Sequence, residues 1–131
     1  MLVSSKGRYA LRVMLVLAQE PEGAFIPLKE ITGSQGISQK YLESIMTLLS
    51  KGGLVEACHG KNGGYRLNRP LAAYTVGSIL RLTEGDLIPV DCKAECDRAD
   101  CCPSRPMWQK LNRMIDEFFD GITLADLMET E

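Results

Sequence analysis

Four cysteines, Cys92, Cys96, Cys101 and Cys102, fall within eleven consecutive positions of a 131-residue chain that has five in all. Thiolates are nucleophiles, redox centres and soft metal ligands, so this crowding narrows the chemistry to metal binding or thiol oxidation. The sequence opens Met1-Leu2-Val3-Ser4-Ser5-Lys6, without the charged leader, apolar run and cleavage site of an exported protein. No stretch approaches the roughly eighteen consecutive apolar residues of a membrane-spanning helix. A cytoplasmic location is therefore expected, where thiols stay reduced and structural disulfides are disfavoured. Zinc is one metal that four thiolates could hold, but the adjacent Cys101 and Cys102 cannot easily share one ion, and paired C-x2-C knuckles are absent. A reversible disulfide is another route, with Arg98 and Arg105 lowering thiol pKa values and several acidic neighbours opposing them. Cys58 stands apart and is expected to be a buried small apolar residue.

A second group of residues has the chemistry of DNA reading. From Ser38 to Lys51 the apolar residues Leu42, Ile45, Met46 and Leu49 recur at helical spacing, leaving Ser38, Gln39, Lys40, Tyr41, Glu43, Ser44 and Thr47 on a polar face. Residues near the start of such a helix supply the donors and acceptors that base edges in a major groove demand. Any amphipathic helix has a solvated polar face, so the hairpin after it carries more weight. The helix runs into a short strand pair closed by Gly60-Lys61-Asn62-Gly63-Gly64, the layout of a winged helix-turn-helix. At that tip His59, Lys61 and Asn62 can reach phosphates or the minor groove, and the glycines allow close approach to the DNA backbone. Arg8 and Arg12 lie one helical turn apart near Lys6 and offer phosphate contacts that carry no sequence information.

Periodicity and punctuation predict the elements that must position these groups. A first helix begins with Ser4 or Ser5 as cap and runs to about Gln19, with Ala10, Val13, Met14 and Leu17 inward. Pro27 opens a short helix over residues 28 to 34, Gln35-Gly36-Ile37 turns, and Ser38 caps the third helix, which closes at Gly52-Gly53. Strands are expected over 54 to 58 and 65 to 67, and a fourth helix, capped by Thr75, to about Thr83. Residues 90 to 103 read as an exposed loop. A long helix over 104 to 120 carries Trp108, Leu111, Ile115, Phe118 and Ile122 on one stripe, and Thr123 with Asp126 makes a capping box for a last turn. The predicted fold class is mainly α with a small β-hairpin wing, a winged helix-turn-helix plus a long C-terminal dimerisation helix. The chain divides into three units: a DNA-binding domain over 1–83, a cysteine-rich sensor loop over 84–103, and the dimerisation helix with its C-terminal turn over 104–131. A two-fold dimer would set two reading heads about one DNA turn, roughly 34 Å, apart.

Charge supports this division. The net charge is −2, but residues 1 to 70 carry nine Lys/Arg against five Asp/Glu, and residues 71 to 131 carry six against twelve. The basic half is the half with the predicted reading head. An enzyme fits poorly: there is no C-x-x-C pair, no glycine-rich phosphate loop between a strand and a helix, and one histidine, His59, expected on an exposed wing with no plausible nucleophile, its neighbour Cys58 being read as buried.

Four blocks carry a family resemblance: Ser4-Ser5-Lys6-Gly7-Arg8-Tyr9-Ala10-Leu11, Ile37-Ser38-Gln39-Lys40-Tyr41-Leu42-Glu43, Gly63-Gly64-Tyr65-Arg66-Leu67 and Cys102-Pro103-Ser104-Arg105-Pro106-Met107-Trp108. In order and spacing they resemble the IscR/NsrR/CymR-type winged-helix transcriptional regulators over essentially the whole chain. The resemblance implies a homodimeric regulator of double-stranded DNA whose third helix reads the major groove and whose wing enters the minor groove. It places Ser38, Tyr41 and Glu43 among residues that make or support DNA contacts, and sets His59 where relatives often have arginine. It also makes Cys92, Cys96 and Cys102 the ligands of an iron–sulfur cluster, [2Fe–2S] or [4Fe–4S], with Cys101 as an extra thiol. The fourth ligand departs from the family's pattern: Arg105 stands where a histidine can ligate, and Arg8 and Arg12 lie in the first helix, from which other members recruit an acidic residue. Cys101, Asp91, Asp100 or an exchangeable small molecule would have to serve. Relatives without cluster cysteines imply a further possibility, control by an effector protein of cysteine biosynthesis.

Overall fold

The computed structural model describes residues 3–90 and 102–129. Cys92, Cys96 and Cys101 lie outside the described residues. The first helix, α1, spans Ser5–Ala18; the Ser4 hydroxyl accepts the Gly7 backbone N–H at 3.1 Å and starts it. Helix α2, Leu28–Gln35, enters on Pro27 and ends on Gly36, whose φ of +66° lets the chain turn sharply into the next helix. Ser38 caps α3, Gln39–Lys51, by accepting the Tyr41 N–H at 3.2 Å. The strands β1, Val55–Cys58, and β2, Gly64–Leu67, pair antiparallel with Val55 opposite Leu67 and Cys58 opposite Gly64. Ile26 adds a short third edge, exchanging backbone hydrogen bonds of 2.8 and 3.0 Å with Tyr65. A single 3-10 turn at Leu71–Ala73 leads to α4, Val76–Glu84, capped by Thr75. After the cysteine segment come α5, Arg105–Asp120, and α6, Leu124–Glu129, with the reciprocal Thr123 and Asp126 cap at 2.9 and 3.1 Å. The architecture is the expected winged helix-turn-helix. Among the described residues no helix is long and apolar enough to cross a membrane.

The main core is built from the inward faces of α1 (Ala10, Val13, Met14), α2 (Ile31) and α3 (Leu42, Ile45, Met46, Leu49), closed by Tyr74, Ile79 and Leu124. Each large aliphatic side chain buried there contributes about 1.5–3 kcal/mol of transfer free energy, which fixes how α3 is presented. A smaller cluster of Val76, Leu80 and Leu87 receives Ile115, Phe119 and Ile122. Arg81 clamps α4 to α5, donating to Asp120 at 2.7 and 3.0 Å and to Asp116 at 2.9 Å. The bonds to Asp120 hold its carboxyl below its ordinary pKa. Gly77 leaves room for the clamp, since a Cβ there would stand 2.1 Å from Asp120 Oδ1. At the other end of α4, the Glu84 carboxylate accepts the Ser4 hydroxyl and its N–H, tying α4 to the start of α1.

Two expectations are corrected. Cys58 is exposed, because the hairpin stands clear of the core beyond Val55 and Cys58 shares the outward face of Glu56. The single apolar stripe expected on the long helix divides in two. Ile115, Phe119 and the following Ile122 pack on the chain's own small cluster, whereas Met107, Met114 and Phe118 are 55%, 56% and 62% exposed.

Candidate nucleic-acid interface and cysteine segment

The N-terminal half of α3 exposes Gln39, Lys40, Glu43 and Ser44 to solvent. Ser38, also exposed, spends its hydroxyl as an acceptor in the helix cap, so its role is to start α3 where these side chains can be presented. The Gln39 amide lies 3.4 Å from Glu43 Oε1, a long contact between two groups able to address base edges. Ser44 and Thr47 donate their hydroxyl protons to the Tyr41 and Glu43 carbonyls at 2.7 and 2.8 Å. Facing outward they therefore offer acceptor lone pairs and, for Thr47, a methyl group.

Tyr41 differs from its neighbours in being half-buried. Its ring meets Tyr9 of α1 edge to face, with centroids 5.9 Å apart and planes at 89°, and the Arg12 guanidinium lies 5.1 Å over the Tyr9 ring. Such a contact contributes about 0.5–1.5 kcal/mol beyond area burial and sets the attitude of α3 on α1. Tyr41 thus orients α3, and Arg12 and Arg8 come from the helix it leans on. Arg8 reaches the Ser5 hydroxyl at 3.2 Å. The ion pairs among the described residues join Arg66 to Glu56 and Arg81 to Asp116 and Asp120, so Arg8, Arg12, Lys40 and Lys61 have no carboxylate partner there. Uncompensated cations on exposed helix and loop positions are what a polyanion requires.

The wing tip presents His59, Lys61 and Asn62, all exposed. Gly60, at φ +107°, and the Gly63 N–H to Gly60 carbonyl bond of 3.1 Å close the loop. Below the tip, Arg66 stacks over Phe25 at 4.3 Å, donates to Glu56 at 2.9 Å and to the Gly23 carbonyl at 3.1 Å, and is committed to holding the hairpin. Sequence reasoning missed two further residues here. Arg69 donates to the Gly53 carbonyl at 2.7 Å, and buried Tyr74 reaches the strand ends with its hydroxyl. Neither has a periodic signal, because each acts across the chain.

Of the cysteine candidates, Cys102 is described. Its Sγ lies 3.1 Å from the Ser104 hydroxyl, and its carbonyl accepts the Arg105 N–H at 3.2 Å. The Ser104 hydroxyl and N–H, assisted by Arg105, hold the thiol below its ordinary pKa and favour the thiolate, the form that binds metal. The donor chemistry at this position therefore fits a thiolate-held cluster. Among the described residues no group of three or more His, Cys, Asp or Glu could by itself hold a metal ion. At the other border of the segment, Asn112 of α5 donates to the Val90 carbonyl at 3.0 Å. Val90 and Cys102, the described residues flanking the segment, are thus both joined to α5 or its first turn.

A family model described as Rrf2, iron-dependent transcriptional regulator, matches residues 3–130. The HTH-type transcriptional regulator IscR of Yersinia enterocolitica is 35% identical over 133 residues, spanning 100% of this chain and 81% of that protein. Among solved structures, CymR (YrzC), the global cysteine regulator of B. subtilis, superposes with a TM-score of 0.84 at 33% identity, covering 100% of this chain and 98% of that one. IscR of T. potens superposes with a TM-score of 0.78 at 36% identity, covering 98% and 87%.

Proposed function

The chain belongs to the Rrf2 family of transcriptional regulators, and from that membership we propose a homodimeric, sequence-specific repressor whose grip on DNA responds to an iron–sulfur cluster held by Cys92, Cys96 and Cys102. DNA binding, not catalysis, is the work of this family. The finer reading assigns base-edge contacts to Gln39, Lys40 and Glu43, with Ser38 and Tyr41 setting the helix. It assigns phosphate or minor-groove contacts to Arg8, His59, Lys61 and Asn62.

The observation that carries the sensing half is the attachment of the cysteine segment. Both its flanks are fastened to α5, whose Met107, Met114 and Phe118 form an exposed apolar row at i, i+7 and i+11. A second copy of the chain is the proposed cover for that row, as a two-fold pairing of the same helix face. The cluster would supply a redox-active, oxidant-sensitive centre. This chain's own part is to lower the Cys102 thiol pKa through Ser104 and Arg105, and to join the segment to the helix that links the two reading heads. Units over 1–83, 84–103 and 104–131 would then read, sense and dimerise, in the cytoplasm.

A second reading has its own support. The likeness to a global cysteine regulator is as full as that to IscR, and Arg105 stands where a ligating histidine is found in relatives. On that reading the same DNA-binding fold answers to a thiol redox switch or to an effector protein of cysteine metabolism, without a cluster.

The reading head is tested by gel-shift titration on duplexes enriched from a random pool. Lys61→Ala is expected to weaken binding several-fold and to flatten the salt dependence by about 0.9 per lost phosphate contact, counted twice in a dimer. Tyr41→Ala, which frees α3 from Tyr9, is expected to cost about tenfold, the equivalent of the lost ring contact. Unchanged affinity in both variants would remove the interface from α3 and the wing.

A further inference from the structure

Tyr74 is wholly buried and lies away from the reading face, yet its phenol oxygen sits at the foot of the wing. That oxygen accepts the Asn68 backbone N–H at 2.9 Å and stands 2.8 Å from the Leu54 carbonyl and 2.9 Å from Asn68 Oδ1, one of which takes its single proton. Leu54 immediately precedes β1 and Asn68 immediately follows β2. One hydroxyl therefore clasps the two open ends of the hairpin. Asn68 Nδ2 and Arg69 Nη2 reinforce the clasp by donating to the Gly53 carbonyl at 2.9 and 2.7 Å, and the Arg69 guanidinium lies 5.1 Å over the Tyr74 ring. Burial raises the phenol pKa and keeps the proton in place.

The backbone of the same residue is engaged on another side. The Leu124 N–H donates to the Tyr74 carbonyl at 3.0 Å and the Val76 N–H to the Ile122 carbonyl at 2.8 Å, pairing Thr75 with Thr123 in an antiparallel bridge. Residues 121 to 123 are the corner between α5 and α6. Beyond Val55, β1 has no buried residue, so β1 is held at its base, whereas Tyr65 and Leu67 of β2 pack on the core. The Ile26 bridge holds the outer edge of β2, and Tyr74 is the contact that reaches both strand ends.

We propose that Tyr74 is a positioning residue of the wing, its hydroxyl holding the base of the hairpin at the angle at which it leaves the domain and its backbone tying that base to the α5–α6 corner. The inference deepens the DNA-reading assignment above and rests on it for its functional consequence. A change at the end of the dimer helix would reach the wing tip through this residue and its Leu124 neighbour, at the edge of the core they close.

Tyr74→Phe keeps the ring and core volume and removes the clasp. In the free full-length protein, amide exchange at Asn68 is expected to accelerate about tenfold relative to the core amide of Ile45, because its N–H has lost its acceptor. Exchange at Leu124 is expected to accelerate with it, by about threefold on the same scale. Unchanged Asn68 exchange, or equal acceleration at Ile45, would overturn the clasp. Accelerated Asn68 beside unchanged Leu124 would overturn the tie to the corner. DNA binding supplies the functional arm as a double-mutant cycle with Lys61→Ala. Tyr74→Phe is expected to weaken binding about fivefold alone and to add almost nothing in the Lys61→Ala background, since both act through the wing tip. Full additivity, the mark of a general structural defect, would overturn the positioning role. If Lys61→Ala alone leaves binding intact, the wing contact assigned above fails, and the exchange measurement still decides whether Tyr74 holds the wing.

Discussion

Gly64→Ala is expected to detach the wing from the domain and to cost about 3 kcal/mol or more, at the upper end of what overpacking imposes. A Cβ at residue 64 would stand 2.3 Å from the Ile26 carbonyl oxygen, 2.5 Å from its carbon and 2.9 Å from the Pro27 nitrogen. All three are backbone atoms, so no flexible side chain can move aside. They belong to the bridge in which Ile26 and Tyr65 exchange two hydrogen bonds, and relief of the clash must break it. Gly33→Ala is the matched control. It lies in α2 with nothing within 4 Å of its would-be Cβ, and is expected to stabilise by up to about 1 kcal/mol through helix propensity alone. Urea denaturation of the three proteins measures both effects, and DNA binding should fall only in the Gly64 variant. Wild-type stability in Gly64→Ala would mean that the wing is not seated on the Ile26 edge.

The second large effect concerns Cys102. Its thiol is biased toward thiolate by the Ser104 hydroxyl and N–H and by Arg105, and it lies three residues before Arg105 opens α5. Cys102→Ala, and likewise Cys96→Ala, is expected to abolish the response of DNA affinity to oxygen, iron and nitric oxide while leaving a folded, DNA-binding protein. Removing one thiolate ligand from an iron–sulfur site would disable it, whereas Cys102 does not belong to the core that presents α3. The measurement is a binding isotherm in each atmosphere for wild type and variants. A variant that still responds as wild type does would place the sensor elsewhere.

Much of the reading head was legible in the sequence. Ser38 as cap, the inward face of α3 and the glycine-closed hairpin are local features, written in side-chain hydrogen bonding, a 3.6-residue period and positive φ. The Ile26 edge, Tyr74 and the Thr75–Thr123 bridge were not legible, because they are pairings between distant residues with no period of their own. Cys58 could have been read correctly: strand alternation puts it on the face of Glu56, and its thiol character outweighed that signal. For α5 the sequence offers apolar residues at 107, 108, 111, 114, 115, 118 and 119, which cover two adjoining faces. Periodicity marks both as apolar and cannot say which one the chain itself covers; packing against Val76, Leu80 and Leu87 decides it. The ligand set is less legible still, since Cys92, Cys96 and Cys102, with Cys101 as an extra thiol, are assigned through the family resemblance.

If a cysteine-held cluster governs DNA binding, a single anaerobic preparation reveals it. The protein is purified without oxygen, its visible spectrum, iron and acid-labile sulfide are measured, and its affinity for a selected duplex is compared before and after the cluster is removed by chelation. Broad absorbance is expected between about 320 and 450 nm, the region of thiolate-held iron–sulfur centres. Stoichiometric sulfide is expected with it, and an affinity that changes about tenfold or more on removal, a coupling of ordinary allosteric size. A colourless protein without sulfide, or a coloured one whose affinity is the same in both states, would contradict control by a cluster.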